Sequence, residues 1–238
     1  QTSKTKIMSL IIKMKGKGTI LLFLVAVLLP FRSTVAQEWH FGIMATPAIS
    51  WFKTDISEVR NSGARAGFIL NAFLEKNLKD NWYFSGGLAF MNTGARLKYT
   101  EPTYFRFPGY TSIIGAGKTI VYNMQYLSAP VEIKIKTPPS GNLVYYGGFG
   151  LDPKVVIRGT ADIPSIDIEG ENARDEIERF NVGYHFTGGL EYETRGSISF
   201  ILGLAYESNI FDTTKDNDGQ VIDRAVQKLI RFIFGIKF

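Results

Sequence analysis

The stretch "FNVGYHFTGGLEY", residues 180–192, alternates almost without exception. Phe180, Val182, Tyr184, Phe186, Leu190 and Tyr192 share one face of a two-residue repeat, and Asn181, Gly183, His185, Thr187, Gly189 and Glu191 share the other. A helix would scatter both sets around its axis, so this is a β-strand with an apolar face opposed to a polar, small-residue face. The closing "LIRFIFGIKF", residues 229–238, repeats the pattern, with Ile230, Phe232, Phe234, Ile236 and Phe238 set against Arg231, Ile233, Gly235 and Lys237.

Working outward, similar segments are predicted at 39–52, 64–75, 82–98, 119–136, 143–158, 178–193, 197–211 and 226–238, with no sustained helical period between them. The connections alternate in length: "EKNLKDN", "TPPSGN" and "TRGS" are tight, whereas 53–63, 99–118, 159–177 and 212–225 are long and mostly polar. Eight antiparallel strands with short turns on one rim and long loops on the other fit either a soluble sandwich or lipocalin-like barrel, or a membrane barrel with its apolar face outward. Length separates these. Several segments could run well past the roughly five or six residues usual in soluble sheets, to the nine to eleven or more of a tilted bilayer crossing. The polar face is also rich in small residues (Gly42, Ser85, Gly87, Gly148, Gly150, Gly189, Gly203, Gly235), as the crowded interior of a narrow barrel requires. Trp39, Trp82 and Tyr145 on the short-turn side, and Trp51, Tyr122 and Phe180 on the long-loop side, would form two interfacial girdles. The expected fold is therefore an all-β, eight-stranded, antiparallel up-and-down transmembrane β-barrel in an outer membrane, with both termini periplasmic.

Charge supports export rather than nucleic-acid binding. The formal net charge is +5, but residues 1–36 hold Lys4, Lys6, Lys13, Lys15, Lys17 and Arg32 and no acid. Taking those six from the 27 basic residues leaves 21 against 22 acidic ones, so the body has no excess of cations for a polyanion. "MKGKG", the apolar "TILLFLVAVLL" and Thr34-Val35-Ala36 read as a cleavable signal peptide, with Met8 or Met14 as the start, residues 1–36 removed and residues 37–238 forming the barrel domain. The chain has no cysteine, hence no disulfide and no lipoprotein acylation site.

Apparent chemical motifs fall short of their requirements. "GAGKT" (115–119) has Ser112 where a P-loop needs glycine, and a strand follows it. "KDNDGQ" resembles a calcium loop, but Gly219 at its sixth position puts Thr214 first and Ala225 twelfth, where ligands are needed. Two histidines, His40 and His185, cannot build a structural zinc cluster, and neither has a serine partner, so no enzyme, metal or cofactor is expected. What stands out instead is an inward charge set, Glu75, Glu132, Lys134, His185, Glu191, Glu207, Arg231 and Lys237, predicted to form a salt-bridged plug in a lumen about wide enough for its own side chains. In the second long loop, Tyr104, Phe105, Arg106, Phe107 and Tyr110 offer the aromatic and arginine mix of a protein contact site, or else packing on the barrel rim. Tyr122, Met124 and Tyr126 are expected outward, with a bulge near Pro130 shifting the phase so that Leu127, Val131, Ile133 and Ile135 face lipid.

"WHFGIMATPAISWFKTD" (39–55), "QYLSAPVEIKIK" (125–136), "YYGGFGLDPKVVI" (145–157) and the terminal strand together resemble the PorT-like outer-membrane β-barrels of the Bacteroidota. Ser128 and Ala129 stand where the family's "YLEIP" type motif has an acidic-aliphatic pair. The resemblance implies an outer-membrane barrel and, through its eponymous member, a link to type IX protein secretion. The expected function is structural or protein-interacting, as an accessory of export, with membrane lipid, the barrel assembly machinery (through Phe238) and a protein at the outer loops as partners. The alternatives are a small pore or solute channel and, for want of a catalytic cluster more remotely, a lipid-modifying enzyme.

Overall fold

The computed structural model describes residues 39–217, 220 and 223–238, so the leader and its cleavage site lie outside the described residues. In chain order the strands are β1 (Trp39–Lys53), β2 (Val59–Asn61), β3 (Arg65–Lys79), β4 (Trp82–Tyr99), β5 (Thr103–Phe107), β6 (Tyr110–Ile114), β7 (Thr119–Ser128), β8 (Val131–Lys136), β9 (Leu143–Ile163), β10 (Ile168–Asn172), β11 (Phe180–Glu193), β12 (Ser199–Asn209) and β13 (Val226–Lys237). β7 and β8 are two halves of one crossing. Counted so, eight antiparallel crossings close into a ring in sequence order, and β13 pairs with β1 to remove the last edge. β2 and β10 extend the sheet on the long-loop rim, and β5 with β6 forms a separate hairpin there.

The register fixes the barrel's shape. Following paired residues from Phe41 through Leu74, Gly86, Val131, Leu151, Tyr184, Ser208 and Lys228, the path re-enters β1 at Trp51, ten residues beyond its start. With ~3.3 Å per residue and ~4.8 Å between strands, that stagger inclines eight strands by about 40°. At this tilt the outward face of β1 climbs about 30 Å from Trp39 to Trp51, the thickness of a bilayer's hydrocarbon core. The same register sets Trp39, Trp82, Tyr145, Tyr192, Phe200 and Phe238, all exposed, at nearly one level around the short-turn rim. Towards the long loops the outward positions turn polar at Asn92, its partner Gln125, and Lys228.

Two expectations are corrected. Tyr122, Met124 and Tyr126 point into the barrel and are fully buried, so Tyr122 is not part of the outer girdle. The phase does not shift at Pro130 either. Ser128 pairs with Ala89 and Val131 with Gly86, an unbroken register, while the Gly87 N–H donates to Pro130 O (3.0 Å) and the Ala129 N–H to Pro153 O (2.9 Å). The bulge lies on the neighbouring strand: Gln125 opposes Arg158 and Tyr126 opposes Val156, leaving Ile157 extra. Beyond it β9 changes phase, and Gly159, Ala161 and Ile163 turn inward as the strand runs past the expected end at Arg158. The outward placement of Tyr122 assumed a polar lumen at every depth, and this lumen is apolar in its upper half.

Candidate functional site

The interior is filled by two plugs in series. Nearest the short turns, Glu75 of β3 is fully buried and accepts from three lysines: Lys134 Nζ at 3.2 Å, Lys237 Nζ at 3.3 Å, and Lys136 Nζ. Glu191 of β11 accepts from Lys136 at 2.6 Å and from Lys237. Lys134 also lies 3.4 Å from Glu132, which links this cluster to a second one deeper in the barrel. There Thr187 donates to Glu132, His185 Nε2 lies 3.8 Å from Glu132, and His185 Nδ1 lies 2.5 Å from Asp152. Arg231 Nη1 is 3.8 Å from Asp152 and 2.9 Å from Glu207, whose other oxygen accepts from Lys154 at 2.6 Å.

Eleven side chains thus form one continuous chain of contacts, with five carboxylates against five lysine or arginine cations and a histidine. Such groups are costly in a narrow interior unless each finds a partner, and here each does. Aromatic faces complete the packing. Lys134 stands 5.3 Å from the Phe73 ring and 5.5 Å from that of Tyr146, and Lys154 stands 5.4 Å from that of Tyr126.

Room for the chain comes from β9. A Cβ on Gly148 would sit 2.3 Å from Glu132 Oε1 and 2.7 Å from Thr187 Oγ1, and one on Gly150 would sit 2.4 Å from Val131 O and 2.5 Å from the His185 ring. Beside this cluster is an internal cavity of about 50 Å³, faced by Asn71, Glu132, Asp152, His185 and Arg231.

Above the charges the filling becomes apolar. Phe52, Met91, Leu97, Ile120, Tyr122 and Met124 are buried within the barrel, and the β5–β6 hairpin folds over them with Phe105 and Phe107 only 1% and 3% exposed. Phe105 and Phe52 meet the Tyr122 ring at 6.1 Å and 5.8 Å, and the Tyr99 and Tyr122 hydroxyls are 3.1 Å apart. The hairpin is latched to the loop between β9 and β11. Glu176 accepts the Arg106 N–H at 2.7 Å and Gln220 Nε2 at 2.6 Å, and Gln220 Nε2 lies 2.6 Å from Tyr104 O. Burial raises the Glu176 carboxyl above its ordinary range.

All eight lumen residues singled out in the sequence lie in this network. Three more were missed, Lys136, Asp152 and Lys154, and the signal for each was present. Lys136 continues the step from Glu132 and Lys134, and Asp152 and Lys154 continue the inward step from Gly148 and Gly150. Their position beside turn-forming residues, or beside Pro153, masked the period. The proposed contact loop is split: Phe105 and Phe107 are core and are withdrawn from any contact surface, whereas Tyr104 and Tyr110 are exposed. Among the described residues no group of three His, Cys, Asp or Glu side chains is arranged to hold a metal ion. Gly219, the pivot of the calcium-loop comparison, lies outside the described residues.

The sequence that closes this ring matches the model of a known family, the outer membrane protein beta-barrel domain, over residues 35–215. The chain belongs to that family. It is an outer-membrane β-barrel protein. No curated protein matches the sequence. Solved structures similar to this family member include Neisserial surface protein A (11% identity, 84% of this chain and 95% of that chain, TM-score 0.47). AlkL, an outer membrane protein solved in lipid bilayers, has 13% identity over 84% of this chain and 89% of its own, with a TM-score of 0.44. Ail of Yersinia pestis, solved in complex with the heparin analogue sucrose octasulfate, has 14% identity over 85% of this chain and 100% of its own, with a TM-score of 0.39.

Proposed function

We propose that this barrel is a PorT-like, non-conducting, non-enzymatic scaffold of the outer membrane that docks a protein partner through its long loops as an accessory of protein export. Both termini then face the periplasm. The observation that carries the reading is the doubly filled lumen: among the described residues an ionic plug and an apolar plug stand in series, which supports a closed barrel whose working surface is its exterior. On the long-loop side that surface exposes Tyr104, Tyr110, Ile113, Ile166 and Phe211, apolar groups projecting beyond the lipid belt. The β5–β6 hairpin that carries three of them is anchored from within by Phe105 and Phe107, so a partner would meet a preformed rather than a disordered surface.

The test is crosslinking in intact cells with photoreactive residues at Tyr104 and Tyr110, followed by identification of the adduct. A reproducible adduct with a component of an export system, absent when the label is at Asn81 on a short turn, supports the proposal. Labelled protein that assembles fully yet gives no adduct at either position refutes it.

A further inference from the structure

The closing seam carries a second feature on its outer face. Lys228 of β13 stands opposite Trp51 of β1, and Lys53 lies two residues further along the same face of β1. Both lysines project at the edge where the apolar belt ends, and among the described residues neither has a carboxylate within ion-pair distance. Every lysine of the lumen, by contrast, has at least one. Lys228 instead reaches over the Tyr206 ring of β12 at 5.9 Å. With Thr54 and Asn61, these side chains line an open cleft of about 360 Å³.

Below the cleft the lipid-facing surface is grooved. The outward positions of β1 become small at Ala45 and Pro47, while the strands on either side are bulky, with Phe234 opposite Ala45 on β13 and Phe68 opposite Pro47 on β3. A short furrow between phenylalanine ridges therefore lies in the hydrocarbon belt at Ala45 and Pro47, bounded by the exposed Ile43 and Ile49, beneath a pair of unneutralised cations.

We propose that this face binds a phosphorylated glycolipid of the outer leaflet, its phosphate held between Lys53 and Lys228, its sugar against Trp51 and Tyr206, and its acyl chains along the β1 furrow. A free anion would gain nothing from the furrow, and a protein segment would have to lie within lipid. A lipid with an anionic head uses both halves. Interfacial tryptophan and tyrosine suit the junction between sugar and chain. The choice of leaflet rests on the proposed outward orientation of the long loops.

The experiment is native mass spectrometry of detergent-solubilised protein titrated with phosphorylated lipid A, dephosphorylated lipid A and phosphatidylglycerol. Each interfacial lysine near an anionic surface contributes about 1 kcal/mol, so K53Q/K228Q should weaken phosphorylated lipid A roughly 30-fold. Both side chains are at the surface and away from the lumen, so folding should be unaffected. K98Q, another exposed lysine on the long-loop side, should bind as the parent does. Dephosphorylated lipid A should bind the parent no better than phosphorylated lipid A binds the double variant. Unchanged affinity in K53Q/K228Q, or equal loss in K98Q, overturns the site, and phosphatidylglycerol binding as tightly as lipid A overturns the glycolipid. Loop orientation is read separately from label access to Tyr110 in whole cells, so an error there can be told from an error in the site.

Discussion

Replacing Glu75 with glutamine isolates the energetics of the ionic plug. Glu75 is fully buried and is the common acceptor of Lys134, Lys136 and Lys237. The variant keeps the side chain's volume and removes one negative charge. Of the three lysines, Lys136 and Lys237 would then share Glu191 alone, and Lys134 would retain Glu132. Removing one partner from a buried charge pair typically destabilises by about 3–5 kcal/mol, because the remaining charge stays desolvated. Here one negative charge disappears from a set of three lysines, so the loss should reach that range. E75Q/K136Q removes one charge of each sign and should regain most of it. The assay is urea unfolding of protein reconstituted in lipid vesicles, followed by tryptophan fluorescence, since Trp39 and Trp82 lie at the interface. An E75Q loss below about 0.5 kcal/mol would refute the reasoning, as would a double variant no more stable than E75Q.

Three further outcomes follow from other parts of the molecule. Gly150→Ala places a methyl group 2.4 Å from Val131 O and 2.5 Å from the His185 ring, so it should destabilise by about 1–3 kcal/mol in the same assay, whereas Gly109→Ala, with nothing within 4 Å of the added carbon though at a positive φ of 94°, should leave the lumen undisturbed. Burial and then the neighbouring Asp212, Asp216 and Asp55 push the Asp223 carboxyl up to about 7, and the folded loop therefore holds a proton that the unfolded chain has released above about pH 4. This contribution is present at low pH and is lost as pH rises through 7, so the protection factors of residues 210–217, after division by the intrinsic exchange rate at each pH, should fall between pH 5 and pH 8, and D223N should flatten that dependence. Phe238 stacks on Phe41 at 6.3 Å and donates its N–H to Phe41 O at 2.7 Å, so F238D should lower the assembled, heat-modifiable fraction on gels, and normal assembly would count against its role at the seam.

The fold was legible because the two faces of each strand meet different solvents. Phe180 to Tyr192 and Ile230 to Phe238 alternate cleanly because lipid on one side and buried charge on the other exclude the wrong residue type. Where both sides are apolar the alternation loses meaning, and there the sequence misleads. Tyr122 and Met124 face an apolar lumen and resemble lipid-facing residues, so period alone puts them on the outer face and demands a bulge at Pro130. The real bulge at Ile157 leaves little trace, because Ile157 and Arg158 can each stand on the outer face near the interface. Phe105 and Phe107 were ambiguous for a similar reason. An aromatic pair in a polar loop fits a binding surface as well as a hairpin folded inward, and only the position of Tyr122 beneath it decides. The eight inward charges could be read from period alone, yet their pairing could not, since partners such as Lys237 and Glu75 are 162 residues apart in sequence.

The central claim is that the lumen is closed by its own side chains, and single-channel recording in planar bilayers tests it most directly. Purified, correctly assembled protein should show no steady conductance, and E75Q/R231Q, which thins the ionic plug but leaves the apolar one in place, should remain closed. Stable, reproducible unitary currents from the unmodified protein would contradict the account and establish a channel instead.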